Sequence, residues 1–111
     1  MSDEKITVGS ENIFADMGYS DAGSHQLKAR IVSEIQDIVD NRKLKQKAAG
    51  EIMNISQPEV SRLLRGHFRE YSVERLMEFL TLFNRDVEIV VKRRDEGVGH
   101  LTFVGTAIAT A

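Results

Sequence analysis

The stretch that most restricts the fold runs from Asn54 to Gly66, "NISQPEVSRLLRG". Ser56-Gln57-Pro58-Glu59 has the pattern of a capping box, in which the Ser56 hydroxyl accepts from a free backbone N–H near Glu59 and Glu59 reaches back. Ile55, just before the cap, is placed to pack on Val60 as a hydrophobic staple. Pro58 is tolerated in a first turn, where its missing N–H has no partner to lose. Gly66 closes the helix. At about 100° of rotation per residue, Val60, Leu63 and Leu64 share one sector, while Pro58, Arg62 and Arg65 fall nearly opposite. Ser61 lies on the flank, and Gln57 sits in the exposed first turn.

A short helix is expected just before it, over "KQKAAGEIM", with Ala48, Ala49, Ile52 and Met53 inward. Asn54 ends that helix, because asparagine, after glycine, best tolerates the left-handed backbone of a helix C-terminus. Two short helices joined by a tight turn, the second anchored by aliphatics and presenting Gln, Ser and Arg, have helix-turn-helix geometry. In that arrangement the second helix enters the major groove of DNA. The residue types suit such a role. Arginine bonds guanine with two parallel donors, glutamine does the same for adenine, and serine reaches base or phosphate.

The rest of the chain supplies a scaffold. Leu27, Ile31, Ile35 and Ile38 recur at helical spacing and predict a helix of about four turns, with Ser24 as its N-cap. A fourth helix has Ser72 as cap, Tyr71 and Leu76 as a staple, and Val73, Leu76, Met77, Leu80 and Phe83 inward, ending at Asn84. The period then changes: "DVEIVVKRR" alternates and reads as a strand, and "EGVGH" can turn it into a second strand, "LTFVG". Residues 1 to 24 have no sustained period and read as an arm, with Ile13, Phe14, Met17 and Tyr19 available to pack on the domain. The expected organisation is an arm (1–24), a helix-turn-helix domain (25–84, motif 45–66) and a C-terminal strand or hairpin with its tail (85–111). The expected fold class is mainly α, a helix-turn-helix bundle with a C-terminal β-strand or hairpin for dimerisation.

Charge sharpens the functional expectation. The 111 residues carry a net charge of −2, which alone argues against an anionic partner. From Arg42 to Arg69, however, seven basic residues face two acids, whereas residues 1 to 24 hold five acids and one lysine. A basic centre between acidic segments suits local docking of an anion, and local charge is what matters there. The bland alternatives are a solvated lysine-rich face and an Arg62 that pairs with Glu59 three residues earlier. With no cysteine, disulfides and cysteine-based zinc sites are excluded. His25, His67 and His100 have no metal-ligand spacing, so no cofactor or metal is expected. The start is polar and acidic, not a secretory signal. The apolar C-terminal stretch is roughly half the length of a membrane span. A cytoplasmic protein, with no membrane partner, is the expectation.

"QKAAGEIMNISQPEVSRLLRG" resembles the helix-turn-helix of phage-repressor (Cro/Xre-like) regulators. The resemblance rests on Gln46 opening the first helix, Gly50 at a small-residue crossing, Ile55 in the turn, Val60 and Leu63 in the core, and Gly66 at the end. Asn54 stands where glycine is more usual. The wider pattern, "NIFADMGYSDA" and then "FREYSVERLMEFLTLFNRDVEIVV", is similar to a subgroup encoded beside RelE/HigB-like toxins and acting as their antitoxins. The resemblance spans residues 12 to 92 and implies a lambda-repressor-like helix-turn-helix bundle. It implies that Lys45, Gln46, Lys47, Ser56, Gln57, Pro58, Ser61, Arg62, Arg65 and Arg69 form the DNA-binding set. Gln57 and Ser61 would reach base edges, Arg62 a base or a phosphate, and Gln46, Lys45, Lys47 and Arg69 phosphates. Double-stranded operator DNA and a RelE/HigB-like toxin are the implied partners.

Residues Val87, Ile89, Val90 and Val91 are the expected dimerisation device, since an exposed strand edge needs covering and pairing with its own copy covers it symmetrically. The alternative is an internal hairpin with residues 101–104. Two other functional readings compete with an autoregulating repressor: a module whose main role is to neutralise a toxin, and a stand-alone phage-type repressor. An enzyme is not expected, because the chain has no Gly-x-Ser-x-Gly elbow, phosphate loop, His-Glu-x-x-His or cysteine nucleophile.

Overall fold

The structure, a computed structural model, describes residues 21–105, with side chains from Gly23 onward. The arm residues Ile13, Phe14, Met17 and Tyr19 lie outside the described residues. Four helices follow in order: α1 (Asp21–Asn41), α2 (Gln46–Met53), α3 (Gln57–Leu64) and α4 (Val73–Leu82). No helix among the described residues is long and apolar enough to cross a membrane.

The apolar stripe of α1 is the floor of the core. Ile31, Ile35 and Ile38 are almost wholly buried, joined by Val32 and Val39, while Leu27 is half-buried against them. Ser24 does not cap this helix; α1 starts one turn earlier and Ser24 lies inside it. Contacts distant in sequence hold the N-terminal half of α1. The His25 ring stacks on Phe68 with centroids 4.8 Å apart, and the Lys28 ammonium, buried, donates to the Arg69 carbonyl at 3.1 Å. Above α1 sit Ala49 and Met53 from α2, Val60 and Leu63 from α3, Val73, Leu76, Phe79 and Leu80 from α4, and Phe83 at its C-cap. Phe79, not expected in the core, is fully buried, and Met77 is only half-buried beside it.

Gly50 fixes how closely α2 and α3 approach. A Cβ at this position would stand 2.7 Å from the Ile55 carbonyl oxygen and 3.3 Å from Val60 Cγ2. Backbone cannot yield as a flexible side chain can, so only a residue without Cβ lets the turn close this tightly. Asn54 then reverses the chain at φ 63°, and the Ile55 N–H donates to the Gly50 carbonyl at 3.0 Å.

The expected C-terminal strand is not formed. Among the described residues no strand is present, and residues 85–94 run without ladder partners. Ile89, Val90 and Val91 are 77%, 68% and 90% exposed, so the alternation expected of Val87, Ile89 and Val91 leaves no buried side. A strand exists only through hydrogen bonds to a neighbour, and a single extended segment has none. Nor do residues 101–104 return as a second strand. Instead Phe103 packs half-buried against the core, with the Arg30 guanidinium over its ring at 5.6 Å.

Candidate nucleic-acid interface

The local chemistry of α3 makes a rigid platform. Ser56, extended at φ −74° and ψ 159°, accepts the Glu59 N–H on its hydroxyl at 3.3 Å. Glu59 Oε1 in turn accepts the Ser56 N–H at 2.9 Å. The Ser56 backbone N–H first, and then the Ser56 hydroxyl, hold the Glu59 carboxyl below its ordinary range, helped by the positive charges of Arg62 and Arg75. At the other end Gly66, at φ 106°, donates to the Leu63 carbonyl, and the His67 N–H donates to the Arg62 carbonyl at 2.9 Å. Between these stops Val60 and Leu63 are completely buried. The helix therefore has little freedom to roll.

Its other side faces solvent. Ser56, Gln57, Pro58, Arg62 and Arg65 are exposed, and Ser61 is half-buried at the flank. Leu64 is half-buried against the core, as its place beside Leu63 requires. Arg62 and Arg65 make no side-chain hydrogen bond or ion pair among the described residues. The suggested Arg62–Glu59 pairing is absent; Glu59 feels the charge of Arg62, but its carboxylate is already engaged by the Ser56 amide. The guanidinium forks are available to a ligand.

At the start of α2, Lys45 and Lys47 are exposed and Gln46 is half-buried. Lys45 is the N-cap, and unlike Ser56 and Ser72 it makes no side-chain cap bond. Lysine has only donors to offer, so this helix start keeps its free backbone N–H groups and a cation together. Both favour an anion. Arg69 is exposed in the loop after α3, its backbone carbonyl taken by Lys28. The residues singled out for dimerisation, Val87, Ile89, Val90 and Val91, are all exposed on the segment after α4.

Not every cation of the basic stretch is free. Arg42 donates to the Phe83 carbonyl at 3.0 Å and to Asn84 Oδ1 at 3.2 Å, with its guanidinium over the Phe83 ring. It ties the end of α1 to the end of α4, so it leaves the count of cations open to an anionic partner. Nothing in the local sequence signals this, because the partners lie 41 and 42 residues away. Tyr71, half-buried next to α4 and edge-on to Phe79, has its phenol pushed up by burial and by the negative charge of Glu59. The loop between α3 and α4 is thus seated on the core beside the capping box.

Residues 13–92 match a family profile described as a helix-turn-helix domain. A solved structure assigned to the XRE family of transcriptional regulators is 34% identical to this chain, with a TM-score of 0.73. The match covers 78% of this chain and 100% of that one. No curated protein sequence matches.

Proposed function

From the premise that the chain belongs to the helix-turn-helix domain family of XRE-like regulators, we propose that it is a dimeric operator-binding repressor that controls its own operon, and that within that operon it is the antitoxin to a RelE/HigB-like toxin. The coarser function is that of a DNA-binding transcriptional regulator. The observation that carries the reading is the division of α3: Val60 and Leu63 are wholly buried, while Arg62 and Arg65 stand exposed and unpaired among the described residues.

Gln57 and Ser61 read base edges in the major groove, Arg62 a base or a phosphate, Arg65 faces the same duplex, and Ser56 and Pro58 line the approach. Lys45, Gln46, Lys47 and Arg69 bind phosphates and set the register. A dimer places two copies of α3 on half-sites about one helical turn apart, and the exposed apolar segment around Ile89 is the surface that supports it. The toxin partner rests on the sequence resemblance. Copurification with the product of the adjacent gene, or its failure, decides that part separately.

DNA binding is tested by affinity against salt. The logarithm of the binding constant falls with a slope of about −0.9 for each phosphate neutralised. Where Arg62 bonds a base with both donors, Arg62→Ala costs about 1–3 kcal/mol on the operator and relaxes the preference at one base pair. Operator binding left intact by Arg62→Ala and Arg65→Ala together removes α3 as the reading helix.

A further inference from the structure

Each helix of the bundle stops on a residue with left-handed backbone: Lys43 at φ 57°, Asn54 at 63°, Gly66 at 106° and Asn84 at 66°. The stops are built alike. After α1, the Lys43 N–H donates to the Asp40 carbonyl and the Leu44 N–H to the Val39 carbonyl, both at 3.0 Å. The corresponding pairs after α3 are Gly66 to Leu63 and His67 to Arg62, and after α4 Asn84 to Thr81 and Arg85 to Leu80. This geometry suits glycine, is tolerated by asparagine, and costs any ordinary side chain more. Three of the four stops obey that preference. Lys43 does not.

No side-chain contact among the described residues accounts for the exception. Lys43 is exposed, and its ammonium makes no hydrogen bond or ion pair among the described residues. Asp40, three residues earlier, has its carboxylate engaged by Gln36 Nε2 at 2.9 Å. The adjacent cation, Arg42, has a structural role at Phe83 and Asn84, and Leu44 is packed on the core. Lys43 stands instead two residues before Lys45, the N-cap that leaves the start of α2 open. Backbone strain of this kind persists where the side chain is needed for something else.

We propose that Lys43 is a further phosphate contact of the DNA interface, kept as a cation at a helix stop that asparagine or glycine would hold with less strain. The proposal rests on the DNA-binding reading and extends its phosphate set along the α1–α2 connection. A competing role exists inside the fold, since a cation just beyond a helix C-terminus stabilises the helix dipole. The two roles differ in sign. A phosphate contact makes Lys43 a cost to stability and a gain to binding; a dipole partner makes it a gain to stability and neutral to binding.

The test uses the full chain and its Lys43→Asn, Lys43→Gly and Lys43→Arg variants. Each is measured for thermal unfolding and for binding to a duplex of arbitrary sequence over a range of salt concentrations. Phosphate contact is indifferent to sequence, so no operator is needed. The expected result is that the Asn and Gly variants unfold no lower than the parent. They bind several-fold more weakly near 0.1 M salt, and their salt slope is shallower by about 0.9. The Arg variant keeps the slope. An unchanged slope in the Asn and Gly variants overturns the proposal, and so does a lowered unfolding midpoint in both. If the parent itself shows no salt-dependent binding to any duplex, the DNA-binding reading falls with it. If the parent binds and responds to Arg62→Ala but not to Lys43→Asn, only the assignment of Lys43 falls.

Discussion

Two segments of this chain carry regular apolar patterns, and they meet opposite fates. In α3 the patterned residues Val60 and Leu63 are completely buried. In the segment after α4 the equally regular Ile89 and Val91 are 77% and 90% exposed. The difference lies in where the backbone finds its hydrogen bonds. A helix satisfies its own N–H and C=O groups, so one packed stripe suffices to hold it. An extended segment points those groups sideways and needs a second strand before its side chains can be covered. Alternation therefore states what a segment prefers and leaves open which molecule provides the partner.

The comparison can be broken most heavily at Leu63. Leu63→Ala leaves a cavity under α3 and costs about 2–5 kcal/mol of stability, read by chemical denaturation followed by circular dichroism. A loss below about 1 kcal/mol there means that the platform is looser than its burial indicates. The second break falls on the exposed segment. Ile89→Lys leaves the unfolding of the monomer unchanged but removes about 1.5–3 kcal/mol of apolar burial per copy from a strand-paired dimer. Sedimentation at several concentrations reads the shift toward monomer. Wild-type protein that is monomeric at every concentration ends the pairing proposal.

The smallest effect sharpens the description of α3 itself. Because the Glu59 carboxyl titrates below its ordinary value, its share of the capping box is fully present above the ordinary carboxylate range. That share is lost as the pH falls through the lowered value. The start of α3 accordingly loosens in acid, as amide exchange at Glu59 and its neighbours reports. Glu59→Gln, which keeps an acceptor but no titrating charge, flattens that pH dependence. A profile identical in the two proteins shows that the carboxylate contributes nothing by its charge.

Much of this architecture is legible in the chain. The capping box at Ser56, the staple residue Ile55, the left-handed stops at Asn54 and Asn84 and the closing glycine Gly66 all act within one or two turns, so short-range pattern reveals them. The outward placement of Arg62 and Arg65 follows from the same helical period. What escapes such a pattern is long-range. Arg42 reads as one more cation until its bonds to Phe83 and Asn84 are seen. The contacts of His25 and Lys28 with Phe68 and Arg69, which hold the N-terminal half of α1 to the loop after α3, are likewise absent from any short window. Phe79 is a different case: it lies three residues beyond Leu76, on the same buried side, so its place in the core follows from the period although it was not expected there.

By itself, the order of residues determined where three of the helices begin, where α2, α3 and α4 turn back, and which side chains of α3 face water. Caps, stops and periodicity are local physics, set by backbone donors and steric limits within a few residues. Tertiary structure alone decided which cations stay free, how closely α2 and α3 pass at Gly50, and that the segment after α4 stays unpaired within a single chain. Those outcomes depend on which distant groups arrive within hydrogen-bonding or packing distance, and no short window of sequence contains that information.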